Sequence, residues 1–395
     1  MAKALSKLRV LDLSQHLAGP FCTMLLADMG AEIIKVEPPW GDESRTSAGY
    51  AKMEGESTYF MFPNRNKRSI ALDLKKPEGV EVVMKLAKIS DVLVENFRPG
   101  VMDRLGIGYD ILSKLNPGIV YASISGFGQT GPYASRPSYD IVSQAASGWM
   151  WLNSREPRGL NSRPSFTPSC LAGSPGDSIP GTFLALGILA AIHHRNSTGR
   201  GQRIDVAQTD ALMTAAGLGF TQCLLAGITA EDRAHRSSSS IHGVYEAKDG
   251  FIAVRASAEK DLKILASVVG VDPGELSGSS AKLLDWFRRR TRDEISLMLG
   301  DKIPCSAVRT DDEVMNDSFA RARGAVVEMS HPLGFTYRTV ATGIEFSETP
   351  VSVATLPPML GQHTREILKL IGYSEEEVSK LIDERVAFSE DTKSH

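Results

Sequence analysis

Short apolar, β-rich runs that alternate with helical patterns constrain this chain more than any other feature. Residues 8–13 and 31–36 are strand-like, and between them Gly19-Pro20 opens a helical stretch through Leu25, Leu26 and Met29 that stops at Gly30. That is a β-α-β unit. The pattern recurs with a helix from Pro77 to about Lys88 and strands over 91–95 and 119–125, the last after Asn116-Pro117. Strands alternating with helices predict a parallel sheet with right-handed crossovers, hence a doubly wound α/β domain. Residues 181–226 read as helical, broken by a turn at 197–201 and a short strand at 203–206. After the polar stretch 231–240, strands at 243–247 and 251–255 flank a Lys248-Asp249-Gly250 turn, and helices follow through Val268 and over 283–299. These predict a second, smaller domain. The chain from Pro350 is Pro-rich and ends in a helix over 364–370 with its stop at Gly372. That segment returns to the first domain or docks on a partner subunit, so the expected divisions are 1–225, 226–330 and 331–395.

Composition narrows the class. A chain of 395 residues holds roughly two or three domains. Its net charge of −3 and lack of a strongly basic block argue against binding nucleic acid through bulk charge. The longest apolar run, 183–192, is far shorter than the ~20 residues of a membrane span and reads as a buried helix. Asp12 and Gln15 interrupt any signal-peptide core. Cys22, Cys170, Cys223 and Cys305 are too scattered for a zinc or redox pair or a disulfide scaffold, which fits a reduced cytoplasm. Without repeats or low-complexity tracts, a compact enzyme or a large binding domain remains.

Several motifs carry chemistry. Residues 126–131 satisfy GxGxxG after a predicted strand, but Pro132 and Pro137 follow where a helix would have to start, so a loop at a strand's carboxyl end is expected rather than a dinucleotide site. Asp177 sits among small residues in 172–181, ahead of a long apolar helix. It reads either as a helix N-cap or as a reachable, ionised nucleophile, and local sequence leaves both open. Arg98, Arg104, Arg136 and Lys75 lie at strand ends or in nearby loops, where they suit a phosphorylated ligand or plain solvated surface. His16, His193, His194, His242 and His363 lack metal-site spacing, so they read as structural or surface residues and no metal is expected.

Taken together, Val10-Leu11-Asp12-Leu13, Ala18-Gly19-Pro20, residues 30–37, 66–75 and Val94-Glu95-Asn96-Phe97-Arg98-Pro99-Gly100 resemble the family III CoA-transferases, also called the CaiB/BaiF family. That family holds formyl-CoA transferase, the carnitine CoA-transferase and the α-methylacyl-CoA racemases. Further matching stretches are Arg104-Leu105-Gly106, residues 123–131, 139–148 and 198–202, Ile303-Pro304-Cys305 and residues 360–364, so the resemblance runs nearly the whole chain in order. It implies an interlocked homodimer with a Rossmann-like large domain and a small domain. Coenzyme A binds between the domains, its thioesters being substrates and no cofactor being held permanently.

The resemblance also implies roles. The nucleophile, an Asp in a Gly-Asp step before the long helix, falls on Asp177. CoA contacts fall on Leu17, Ala18, Leu72, Asp73, Leu74, Lys75, Asn96, Phe97, Arg98, Arg104 and Arg136, with residues 71–74 and Phe97 flanking the adenine and the four cations meeting phosphates. Leu17 stands where formyl-CoA transferase has a Gln, which argues against formate and oxalate. The Gly-rich loop of that enzyme has its nearest counterpart in 236–243, rich in Ser over 237–240. The implied reaction moves CoA from an acyl-CoA to a free carboxylic acid through aspartyl anhydride and aspartyl-CoA intermediates. A racemase is the alternative and needs two bases. Its Asp coincides with Asp177 but its His falls on Tyr139, a phenol and a weak base at neutral pH, leaving Asp140 only with a different geometry. A non-catalytic CoA-binding protein is the third reading. Arg233, His235, Arg236 and His242 are further cations that suit the free carboxylate of a dicarboxylic acid.

Overall fold

The computed structural model describes residues 3–47, 50, 52–53, 56–152, 168–229, 232, 241–278, 280–331 and 334–390. The chain forms two compact units, one of Met1–Trp149, Cys170–Ala216 and Ala322–His395, the other of Met150–Ser169 and Gly217–Arg321.

The larger unit is an α/β layer structure around a seven-stranded sheet. Its strands run in the order Ala387–Phe388, Lys67–Leu72, Glu32–Glu37, Arg9–Asp12, Val92–Glu95, Val120–Ser125, Arg203–Ala207. All pairings are parallel except that of the edge strand Ala387–Phe388, where Ala387 faces Leu72. The chain steps from Arg9–Asp12 outward through Glu32–Glu37 to Lys67–Leu72, then crosses to the other side of the first strand at Val92–Glu95. That reversal is the switch point at which open α/β sheets leave a crevice beyond the strands' carboxyl ends.

Alternation along the strands builds two cores. Leu11, Ile34, Ile70 and Leu93 pack with Val82, Leu86, Leu112, Ile367 and Leu368 on one face. Val10, Ile33, Val92 and Val120 pack on the other with Leu26, Leu184 and Ile188, from the helices Ala18–Asp28 and Pro175–Thr198. The latter helix is long and apolar enough to cross a membrane by length and composition. It is instead half of a packed layer, with Leu184, Ala185, Ile188 and Ala191 buried and Leu186 exposed. The predicted burial of 183–192 therefore holds for one side only.

The carboxyl terminus closes the sheet edge. Beyond the expected helix Thr364–Leu370, a second helix Glu375–Asp383 leads into Ala387–Phe388, whose pairing protects the strand Lys67–Leu72. The smaller unit has an antiparallel sheet ordered Cys305–Val308, Gly250–Ala256, Ile241–Ala247, covered by helices Glu259–Val269, Ala281–Arg288 and Arg292–Leu299. Tyr245, Ile252, Leu265, Trp286 and Phe287 form its core.

Candidate active site

The crevice at the switch point holds a cavity of about 320 Å³. Gln15, His16, Leu17 and Ala18 line it from the end of the first strand, Asn96, Phe97, Arg98 and Pro99 from Val92–Glu95, and Ser125 and Gly126 from Val120–Ser125. Residues 134 and 136–139 close one side, and Asp177 and Gln208 reach in beside them.

A fully buried polar network fixes the first wall. Asp12 and Lys35 pair in register on neighbouring strands. Asp12 accepts from the Ser14 main chain and from Thr23 and Lys67, while Lys35 Nζ donates to Ser14 O and to Asp42, both at 2.8 Å. Asp42 in turn accepts the main-chain N–H of His16, which adopts a left-handed φ of 63°. Burial opposes ionisation of Asp42, but the Lys35 ammonium and the Ser44 donors outweigh it and push the carboxyl down to about 2. The wall is tied across the switch point by a reciprocal pair, Gln15 N to Asn96 Oδ1 and Asn96 Nδ2 to Gln15 O.

Asp177 is held differently. Its helix starts at Pro175, six residues before the expected Gly181, so Asp177 stands inside the first turn rather than ahead of it. The N-cap position falls on Ser174, whose side chain caps nothing. The cap comes from Asp140, whose Oδ1 accepts Gly176 N–H at 2.7 Å. Gly176 makes this approach possible, because a Cβ there would stand 2.7 Å from Asp140 O. Gly181 serves similarly where the helix crosses Ala18, whose carbonyl would lie 2.6 Å from an added Cβ. The N-cap reading of Asp177 is thereby corrected.

Among the described residues, Asp177 accepts one hydrogen bond, from Gln208 Nε2 to Oδ1 at 2.6 Å. Burial pushes its carboxyl up, the Asp140 carboxylate adds to that, and the Gln208 amide pulls back, for a value of about 7. The carboxyl is thereby held well above the ordinary carboxylate range. Asp140 is not a free second base, since Gln144 Nε2 donates to both its oxygens, at 3.1 and 2.9 Å, beside the Gly176 bond. Among the described residues no three His, Cys, Asp or Glu side chains gather as a metal site would need.

The model of "CoA-transferase family III" matches residues 5–364. The chain belongs to CoA-transferase family III. It is 33% identical over 415 residues to a succinyl-CoA:glutarate CoA-transferase of Mus musculus, covering 99% of this chain and 92% of that one. It is likewise 33% identical to a formyl-CoA:oxalate CoA-transferase of Rhodopseudomonas palustris, with 97% of each chain covered. Among solved structures, a CaiB/BaiF family protein from Brucella suis superposes with a TM-score of 0.81 at 29% identity, covering 94% of this chain and 100% of that one.

Against the positions implied by family III, Leu17, Ala18, Asn96, Phe97, Arg98, Arg136 and Tyr139 all line the cavity. Leu72 does not offer a side chain to adenine, because it is fully buried in the core, leaving only its main chain. Asp73 Oδ1 accepts the Lys75 main-chain N–H in a tight turn, and Leu74 packs against the core. Lys75 and Arg104 are exposed and away from this cavity, Lys75 lying 5.7 Å over the Trp40 ring and Arg104 ending the helix Val101–Arg104. Residues 233, 235, 236 and 237–240 lie outside the described residues. His242 is exposed on the smaller unit's sheet.

Sequence reading missed four site residues. His16 lines the cavity with its ring edge-on to Tyr139 at 5.6 Å, where a structural or surface role is the expectation from sequence. Gln208, Ser143 and Gln144 carry the hydrogen bonds around the two aspartates. Gln208 was within reach, because it follows the strand Arg203–Ala207 at its carboxyl end, where the same rule places ligands.

Proposed function

We propose that the chain moves CoA from an acyl-CoA thioester to a free carboxylic acid, with Asp177 as covalent nucleophile and CoA lying along the carboxyl edge of the sheet. The carrying observation is the Asp177 carboxylate, relieved of capping by Asp140 and set in the cavity beside a single amide donor. The carboxylate attacks the donor thioester to give an anhydride and CoA thiolate, which returns to form an aspartyl-CoA thioester for the acceptor acid to attack. Covalent steps divide one exchange between weak nucleophiles into several easier ones. Arg98 and Arg136 in the cavity, with Lys75 and Arg104 farther out on the same edge, suit the phosphates of CoA.

The engaged oxygens of Asp140 weigh against a two-base racemase, and the Asp140 cap removes the ground for treating Asp177 as merely structural. Leu218, Leu224 and Leu225, each at least 80% exposed on the helix Gly217–Ala226, support assembly as a homodimer that covers them. Succinyl-CoA is the first donor to offer, since several relatives carry it in their names. Replacing Asp177 by Ala is expected to reduce transfer from a panel of acyl-CoA donors to background while calorimetric CoA binding persists. Retained transfer would refute the assignment. Solvent deuterium entering a 2-methylacyl-CoA without any acceptor acid would favour the racemase.

A further inference from the structure

The amide that meets Asp177 is itself locked. Gln208 opens the helix Gln208–Ala215 and is buried, as is Ser143. Its Oε1 accepts from Ser143 Oγ at 2.8 Å, and Ser143 Oγ stands 2.9 Å from Ser138 Oγ. An amide oxygen cannot donate, so the Ser143 hydrogen is committed to Gln208 and Ser138 supplies the hydrogen between the two hydroxyls. The reverse amide orientation would set its oxygen against a carboxylate. The donor chain therefore runs Ser138 to Ser143 to Gln208 to Asp177.

Resting on the nucleophilic reading of Asp177, we propose that Gln208 is a catalytic residue whose amide holds Oδ1 as the carbonyl oxygen of every Asp177 adduct and receives its negative charge when that adduct is attacked. In the first step Oδ2 bonds to the thioester carbon, the C–S bond breaks and the thiolate leaves with the electron pair. The oxyanion of that step is on the donor. In the second step the thiolate attacks the Asp177 carbonyl carbon, the C=O pair moves onto Oδ1, and it returns as the anhydride C–O bond breaks and the donor carboxylate leaves. In the third step the acceptor carboxylate attacks the aspartyl thioester through the same Oδ1 oxyanion, releasing thiolate. In the last, thiolate attacks the acceptor carbonyl and Asp177 departs as carboxylate. Two of the steps thus place charge on the atom that a preorganised donor already touches at 2.6 Å.

Gln208→Met keeps the side-chain length and deletes the donor. Loss of one such donor is expected to lower kcat by about 10²- to 10³-fold. Acid-quenched peptide mass spectrometry early in the reaction with donor alone should then find the acyl mass on Asp177 in place of the CoA mass, because the first step keeps its rate while the attack of thiolate on the Asp177 carbonyl is slowed. The acid limb of kcat/KM should move to higher pH, since the remaining influences on Asp177 both raise its pKa. A wild-type adduct ratio and an unmoved limb would overturn the role of Gln208 while leaving Asp177 as nucleophile. An unmodified Asp177 in the turning-over wild type would overturn both. Should Gln208→Met fail to bind CoA, Ser143→Ala decides, because it unlocks the amide. The same shift in adduct ratio with a smaller rate loss is expected there, and a wild-type ratio would overturn the proposal.

Discussion

Two carboxylates at the same edge of one sheet, Asp42 buried and Asp177 half-buried, are shifted in opposite directions. Asp42, after the strand Glu32–Glu37, is pushed down to about 2, while Asp177 is pushed up to about 7. Burial raises both. The difference is the partner: Asp42 has the Lys35 ammonium at 2.8 Å, whereas Asp177 has a neutral amide and a neighbouring carboxylate. A buried carboxylate matched to a cation becomes part of the scaffold, and one left with a single neutral donor stays available to react. Glu95, at the end of the strand Val92–Glu95, is shifted in the same direction as Asp177. Burial raises it to about 7 although it accepts the Phe97 N–H.

The largest effect that could break this comparison is expected at Lys35. Lys35→Met leaves Asp42 and Asp12 short of a buried cation, which typically costs about 3 to 5 kcal/mol. A urea titration should show that loss, while Asp177→Asn should leave the midpoint unchanged or raised, because it removes an unmatched buried charge. Loss of stability in Asp177→Asn comparable to Lys35→Met would erase the distinction.

The pH responses separate the two carboxylates next. The folded value for Asp42 lies below the ordinary 3.8, so the stability it supplies is present above about 4 and is lost as pH falls toward 2. The folded value for Asp177 lies above 3.8, so the fold loses stability as pH rises from about 4 to 7, and Asp177→Asn should abolish that loss. Activity runs the other way. On the proposed route the ionised form attacks, so kcat/KM should fall about tenfold per pH unit below about 7, whereas an acid limb near 4 would contradict the raised value.

Gly176→Ala tests the borrowed cap. The new Cβ would press on Asp140 O and Oδ1, at 2.7 and 2.8 Å, and overpacking of this kind costs about 1 to 3 kcal/mol. Thermal unfolding and transfer rate should both suffer, and a neutral outcome would mean that Asp140 is not needed where it stands. The smallest effect is expected from Asp140→Asn, which retains an acceptor for Gly176 N–H and removes the charge. The acid limb should then move down by up to about one pH unit, and a shift upward would assign the raised value to something other than Asp140.

Local pattern revealed the parallel sheet well, because alternating runs such as Val10-Leu11 and Ile33-Ile34 feed opposite cores. It placed Asp177 beside the right helix but outside it, since Pro180 and two glycines read as loop while the actual cap, Asp140, acts from 36 positions away. Lys35 interrupts an apolar run and Lys67 sits within the polar run 64–69, and neither gives a hint that it is buried; only strand register brings Asp12 and Lys35 together. The edge strand Ala387–Phe388 is two residues long, too short for any periodicity to mark.

The nucleophilic role of Asp177 is tested most directly with an ¹⁸O-labelled acceptor acid. After turnover with an acyl-CoA donor, the bridging oxygen of the second anhydride remains on the aspartate, so the peptide holding Asp177 should gain two mass units per oxygen exchanged. Turnover that leaves Asp177 unlabelled would mean that the acceptor meets the donor directly, and would contradict the covalent route.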